Sequence, residues 1–208
     1  MKNKGYFISF EGIDGSGKST QIQRLAKFLE ALGLNVIITR EPGGSVGGEE
    51  IRNLLLQGNV DRWSAETEIL LFTAARRDHL ERIILPALEE GKIVICDRFA
   101  DSTRMYQGMR GPNLRNLVDS LNEKVIKFDP DLTILIDINP EISLKRAKSR
   151  KTVEERFEDF GVELQMKMRK GFIELAKEFP NRIEVVNGQQ SVDNLTQDNC
   201  SLVKAKIS

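Results

Sequence analysis

Positions 12–20 read Gly-Ile-Asp-Gly-Ser-Gly-Lys-Ser-Thr and match the pattern G-x-x-x-x-G-K-[ST] without a mismatch. The chemistry of such a string is anion binding. Its glycines, Gly12, Gly15 and Gly17, let the backbone curl so that successive N–H groups converge on phosphate oxygens. Lys18 supplies the cation that reaches the β- and γ-phosphates, and the Ser19 hydroxyl is placed to ligate Mg²⁺. A glycine turn could occur by chance, so the flanks decide. Residues 6–10 are apolar and read as a buried strand, and residues 19–32 carry Ile22, Leu25, Ala26, Leu29 and Leu32 at helical spacing. A helix opening near Lys18 adds the positive end of its dipole to the same site.

Other groups with chemical potential stand just after apolar runs. Residues 92–96 end at Asp97-Arg98, residues 132–136 end at Asp137, and residues 35–39 lead into Arg40-Glu41-Pro42-Gly43-Gly44. A carboxylate at Asp97 could hold Mg²⁺ through water or orient the loop lysine. Arg98 beside it could clamp a phosphate with both arms of its guanidinium. The plainer alternative is a solvated strand end. A basic segment, Lys145-Arg146-Ala147-Lys148-Ser149-Arg150-Lys151, precedes Arg156. It could be a nucleic-acid patch, a solvated helix face or a lid that carries arginines onto a transferring phosphoryl group. The aromatic interleaving of a single-strand binder is missing, and a polar segment between two helices favours the lid.

These groups need a scaffold, and the hydrophobic pattern supplies one. Helical patterns are expected over residues 49–56, 65–88, 114–128, 140–149, 162–179 and 192–206, and a fifth strand over 182–186. Pro86 is expected to kink or divide the longest of these helices. Short, continuously apolar strands separated by helices imply a parallel α/β sheet covered on both faces, with ligands beyond the carboxyl ends of the strands. At 208 residues the chain suits one domain with a lid. Thirty-one basic residues balance 31 acidic ones, so there is no global field for nucleic acid or membrane, and anion binding must be local. Cys96 and Cys200 lie far apart in no metal spacing, which suits a reducing, cytoplasmic setting; no signal peptide or membrane span is expected.

Some features are decoys. Asp159-Phe160-Gly161 spells the magnesium motif of protein kinases, but no H-R-D segment precedes it. His79 has no paired serine or aspartate for a triad and reads as a surface or satisfied histidine, and Trp63 as packing where the long helix begins. A GTP switch protein would read guanine through N-K-x-D after a strand; here Asn116-Leu117-Val118-Asp119 falls within a helix and lacks the lysine.

The motifs F-E-G-I-D-G-S-G-K-S-T, T-R-E-P-G-G, L-L-F-T-A-A-R, D-R-F-A-D-S-T and Y-Q-G, in this order, resemble those of the thymidylate kinase family in its bacterial form, from about residue 6 to about residue 186. The resemblance implies a three-layer P-loop kinase fold, with a five-stranded parallel sheet flanked by helices and a small lid near residues 148–160. It implies a homodimer that transfers the ATP γ-phosphoryl group to dTMP with Mg²⁺, giving dTDP for DNA precursor synthesis.

Carried over by position, Gly12, Ile13, Asp14, Gly15, Ser16, Gly17, Lys18, Ser19 and Thr20 would bind ATP. Lys18 would be catalytic, and Ser19 and Asp97 would stand at the metal. Arg146 would lie against adenine. Phe72, a core residue on pattern alone, would stack on thymine, and Arg76, one turn later, would reach an exocyclic oxygen. Thr103, with Ser102 and Gln107 of the adjoining motifs, would face the acceptor nucleotide. Tyr106 would crowd the sugar 2′-position, and Asp14 would touch the 3′-hydroxyl and the metal region. Pro42 and Arg52 would wall and clamp the monophosphate pocket, and Arg98 would hold the dTMP phosphate. Some members of the family carry an arginine where this loop has Asp14. Here the loop has none, so that charge must come from the lid, through Arg156 with Arg150 as a second candidate. The loop at 187–190, Asn-Gly-Gln-Gln, should border adenine.

Overall fold

The computed structural model describes residues 5–59, 61–148 and 161–207, with the side chains of 146–148 set aside. Five strands, β1 (Tyr6–Glu11), β2 (Val36–Arg40), β3 (Ile93–Asp97), β4 (Leu132–Asp137) and β5 (Ile183–Asn187), form one sheet in the order β2-β3-β1-β4-β5. Every neighbouring pair is parallel. The expected five-stranded parallel sheet is therefore present, with β1 at its centre.

Both faces of this sheet are apolar, as parallel strands require. Alternate residues of β1 and β3 serve different cores. Ile8, Phe10, Ile93 and Ile95 face a cluster with Ile22, Leu25 and Leu29 of α1 (Lys18–Ala31) and Leu195 and Val203 of α9 (Val192–Ile207). Phe7, Val94 and Cys96 face the other way, against Leu80, Ile84 and Phe99. Each large side chain buried in this way contributes roughly 1.5–3 kcal/mol. The last helix, only weakly patterned in sequence, is docked by polar groups too: Gln21 Oε1 accepts from Thr196 Oγ1 at 3.0 Å and from Asn199 Nδ2 at 3.1 Å.

Several boundaries depart from expectation for physical reasons. The helical pattern over 65–88 is divided. α3 (Ala65–His79) passes through a π turn (Leu80–Ile84) into α4 (Leu85–Glu89). Pro86 lacks an N–H, and its ring would strike the carbonyl one turn back; the wider turn just before it relieves that clash. The helix expected over 49–56 starts earlier, as α2 (Val46–Leu56), because Ser45 caps it by accepting from the Gly48 N–H. α6 (Leu114–Leu121) also runs into a π turn, ending at Lys127 in the left-handed region. A short helix, α5 (Ala100–Tyr106), follows β3 where pattern alone showed none. α7 (Pro140–Lys148), the part of the 140–149 helix that is described, and α8 (Val162–Glu178) flank the expected lid, which lies outside the described residues, as do Asp159 and Phe160.

Candidate active site

The turn after β1 needs backbone angles that L side chains seldom adopt. Gly12, Gly15 and Gly17 stand at φ 137°, 77° and 100°, so every glycine of the motif is used in a left-handed step. At Gly12 the demand is also steric, since a Cβ there would sit 2.7 Å from the Ile136 carbonyl oxygen. Gly15 is half-buried between Asp14 and the buried Ser16; its angle supplies the reversal that returns the chain toward α1. Gly17 is the N-cap of that helix, and Lys18, Ser19 and Thr20 form its first turn. Ile13 is buried with α8 rather than facing a ligand, so its share in the site is its backbone.

Lys18 Nζ curls back over the loop, donating to the Gly12 and Ile13 carbonyls at 3.0 and 3.1 Å. Burial, with the Arg98 guanidinium nearby, pushes Lys18 down to about 8, against the pull of Asp97, Asp14 and Glu11. The Ser16 hydroxyl is buried and has no hydrogen-bond partner among the described residues. A buried hydroxyl in an anion-binding turn is a donor available to an arriving phosphate oxygen.

Asp97, expected just past β3, is its last residue, in register with Phe10 and Arg40. The Ser19 hydroxyl donates to Asp97 Oδ2 at 2.9 Å. Hydroxyl and carboxylate oxygens side by side at a phosphate loop are hard donors that fit Mg²⁺. Asp137, closing β4, is committed elsewhere: Arg169 of α8 bonds it through Nε and Nη2 at 2.6 and 2.8 Å.

Arg98 is the hub. It has φ 70°, a left-handed conformation unusual for a long side chain. Its Nη2 pairs with Asp14 and donates to the Tyr106 hydroxyl at 3.1 Å, its Nη1 donates to Ser102 Oγ at 2.9 Å, and it stacks on the Tyr106 ring at 4.9 Å. Tyr106 in turn donates to Asp14 Oδ2 at 2.9 Å. Burial alone would raise the Asp14 carboxyl, but Arg98, Lys18 and the Tyr106 hydrogen bond outweigh it and hold it below its ordinary range. Burial pushes the Tyr106 phenol far up, so it acts as a neutral donor. Thus Asp14, Arg98, Ser102 and Tyr106 meet in one cluster beside the loop.

A second cluster gathers behind it. Arg76 donates through Nε to Glu41 Oε2 at 2.7 Å and through Nη2 to Thr103 Oγ1 at 3.0 Å. His79 is wholly buried and satisfied, with Glu41 at 3.1 Å on Nδ1 and Thr39 at 2.7 Å on Nε2. Glu41, His79 and Cys96 place metal-capable atoms within 4.8 Å of one another. Each is already engaged, and burial followed by Glu41 raises the Cys96 thiol well above its ordinary value, so this is a hydrogen-bonded core rather than a metal centre. Pro42 offers its carbonyl to Arg52 Nη1 at 2.6 Å. Gln107 donates to the buried Glu68 at 3.2 Å. Phe72 stands apart from the apolar clusters and is half-buried rather than a core residue. Asp119 of α6 is tied to Arg104 of α5 and to Arg115 of its own helix, far from the role of a guanine reader. The Arg146 side chain, Arg150 and Arg156 lie outside the described residues.

One carboxylate escaped the sequence reading, and another was named there without a role. Glu11 closes β1 as Asp97 closes β3, and Glu41 stands just past β2, so the rule that drew attention to Asp97 applied equally to them. Glu11 is 1% exposed, and burial with the Asp101 carboxylate raises it to about 7, against Arg98 and the donors from Ser102 and Phe99.

A phosphate loop after the central strand of a parallel sheet, faced by an arginine–carboxylate cluster across the strand ends, defines a P-loop phosphotransferase. Comparison with known proteins agrees and narrows the class. A family model described as thymidylate kinase matches residues 10–199. A thymidylate kinase of Ruegeria pomeroyi is 60% identical over 208 residues, covering 100% of this chain and 99% of that one. One from Caulobacter vibrioides is 50% identical over 194 residues, 93% of each. The crystal structure of a thymidylate kinase from Ehrlichia chaffeensis superposes with a TM-score of 0.76 at 37% identity, covering 96% of this chain and 98% of that one. The chain belongs to the thymidylate kinase family.

Proposed function

We propose that the chain transfers the γ-phosphoryl group of ATP to the phosphate of dTMP, with Mg²⁺, and that the two clusters hold the acceptor. The observation that carries this reading is the group formed by Asp14, Arg98, Ser102 and Tyr106 against the phosphate loop. It joins a guanidinium suited to a monophosphate to a carboxylate suited to a sugar hydroxyl. Arg76 and Thr103, adjoining it through α5, would read the base edge, with Phe72 stacking on the ring. Pro42, Arg52 and Gln107 would complete the acceptor pocket. Gly12 to Thr20 would wrap the ATP phosphates, with the Gly15, Ser16 and Gly17 stretch nearest the oxygens. Ser19 with Asp97 would hold Mg²⁺, which when bound supplies charge neutralisation on the phosphate oxygens.

The acceptor phosphate is already anionic, so no general base is needed. The work is alignment of two like-charged nucleotides and stabilisation of charge on the passing phosphoryl group. Lys18 and Arg98 supply part of it. The lid near 148–160 would add Arg150 and Arg156 and exclude water. Arg146 would lie on adenine. A single domain over residues 1–208, a homodimer formed through the long helix around 65–88, and a cytoplasmic setting complete the reading. Among the described residues no helix is long and apolar enough to cross a membrane, and Leu70 on α3 is 54% exposed.

Turnover with ATP on dTMP, dUMP, dCMP, UMP and thymidine tests the assignment. The expected order has dTMP first; preference for another acceptor would overturn it. A second test uses the loop lysine. With Lys18 near 8, about half of it is neutral at pH 8, and a bound polyphosphate favours the ammonium form. Binding of a non-hydrolysable ATP analogue at pH 8 should therefore take up about half a proton. Calorimetry in buffers of different ionisation enthalpy reads this directly. The uptake should fade towards pH 6 and vanish in Lys18→Met.

A further inference from the structure

We propose that Glu11 is a positioning residue for Arg98: it sets the backbone turn that aims the guanidinium and orients the Ser102 hydroxyl that receives it. This rests on the reading of Arg98 as the group that holds the acceptor phosphate.

Glu11 is the last residue of the central strand and is surrounded by donors. Its Oε1 accepts from the Phe99 N–H at 2.8 Å and the Ser102 N–H at 3.2 Å, and its Oε2 accepts from Ser102 Oγ at 2.6 Å. Those donors belong to the start of α5, where Phe99 is the N-cap and no local side chain caps the helix. A carboxylate from β1 therefore does what a capping side chain would ordinarily do. The charged groups that act on it are Asp101 and Arg98.

The consequence falls on Arg98. Its own N–H donates to the Phe10 carbonyl at 2.9 Å, and the next N–H along, that of Phe99, donates to Glu11. Two adjacent residues of β1 thus pin both sides of the left-handed turn at φ 70°. Holding a non-glycine residue in that region requires such over-determination. At the other end of the side chain, the Ser102 hydroxyl gives its proton to Glu11 and so keeps a lone pair for Arg98 Nη1, 2.9 Å away. Backbone and side-chain contacts both run from Glu11 to Arg98. A mere helix cap would account for the bonds to the N–H groups but not for the hydroxyl relay.

The substitution Glu11→Gln keeps the shape while replacing an acceptor by an amide that points donors at donors. Steady-state kinetics on dTMP and ATP should show kcat/KM for dTMP falling by about tenfold to a hundredfold, as small misplacements of a catalytic group do. Affinity for an ATP analogue should stay within about twofold, and the far-UV spectrum should be retained. The deciding measurement is the pair with Arg98→Ala. Because Glu11 acts through Arg98, the double variant should be no worse than Arg98→Ala alone. Losses that add, or wild-type kinetics in Glu11→Gln, would overturn the proposal. If Glu11→Gln does not fold, Ser102→Ala removes the hydroxyl relay while keeping the N–H bond to Glu11, and should likewise lose its effect in the Arg98→Ala background; an additive loss there counts against the proposal equally. A wild-type chain that prefers another acceptor sinks the functional reading. Full activity in Arg98→Ala removes the role of that arginine and this inference with it. An impaired Arg98→Ala with additive Glu11→Gln sinks the inference alone.

Discussion

Arg98→Ala is expected to lower kcat/KM for dTMP by about 10²- to 10³-fold, with the KM for ATP changed far less. The argument is electrostatic. Asp14 is held ionised beside the loop, and on the proposed reading an incoming monophosphate would bring more negative charge close to it. Two unit charges about 4 Å apart interact by about 4 kcal/mol at an effective dielectric of 20, close to three powers of ten in rate or affinity. Arg98, whose side chain is 18% exposed, would turn that repulsion into attraction; access to solvent brings the expected loss toward the lower end of the range. Arg98→Lys keeps the charge but loses the fork that spans Asp14, Tyr106 and Ser102. It should recover about tenfold of the loss and no more. Kinetics on dTMP with saturating ATP measure both variants, and equal rates for alanine and wild type would remove Arg98 from the site.

Arg156→Ala should have the larger effect on turnover itself, about 10³-fold or more in kcat, with KM for either nucleotide nearly unchanged. The reason lies in what the rest of the site lacks. The loop contributes Lys18 but no arginine, and Arg98 is engaged by Asp14, Tyr106 and Ser102 and assigned to the acceptor. Charge that develops on the phosphoryl group during transfer therefore needs another cation, and an arginine that meets it only in the transition state changes kcat alone. Single-turnover rates, with chemistry separated from product release, would measure this. Unchanged kcat removes Arg156 and turns attention to Arg150.

The phosphate loop was legible because anion binding constrains residue type at each step: the glycines set the turn, and the lysine brings the charge. The strands were legible for a similar reason, since an apolar run buried on both faces admits few alternatives. Boundaries were less so. Asp97 moved from beyond β3 to its last position, which brings it into register with Phe10 and to Ser19. α5 was invisible because seven residues show no period, and because its cap comes from β1 rather than from its own sequence. Phe72 on pattern alone reads as a core residue, and only the resemblance assigns it to the acceptor; the structure leaves it half-buried on α3.

The order of the strands and of the longer helices, the anion-binding turn and the family are all readable along the chain. Each rests on local periodicity or on consecutive residues, which act over a few ångströms along the chain. Which partner each carboxylate meets is fixed only by the fold. Glu11 and Ser102 are separated by 91 positions, Asp14 and Arg98 by 84, and Glu41 and Arg76 by 35. Parallel strands bring such residues together at one edge of the sheet because every strand ends on the same side, so partners that no spacing rule connects become neighbours.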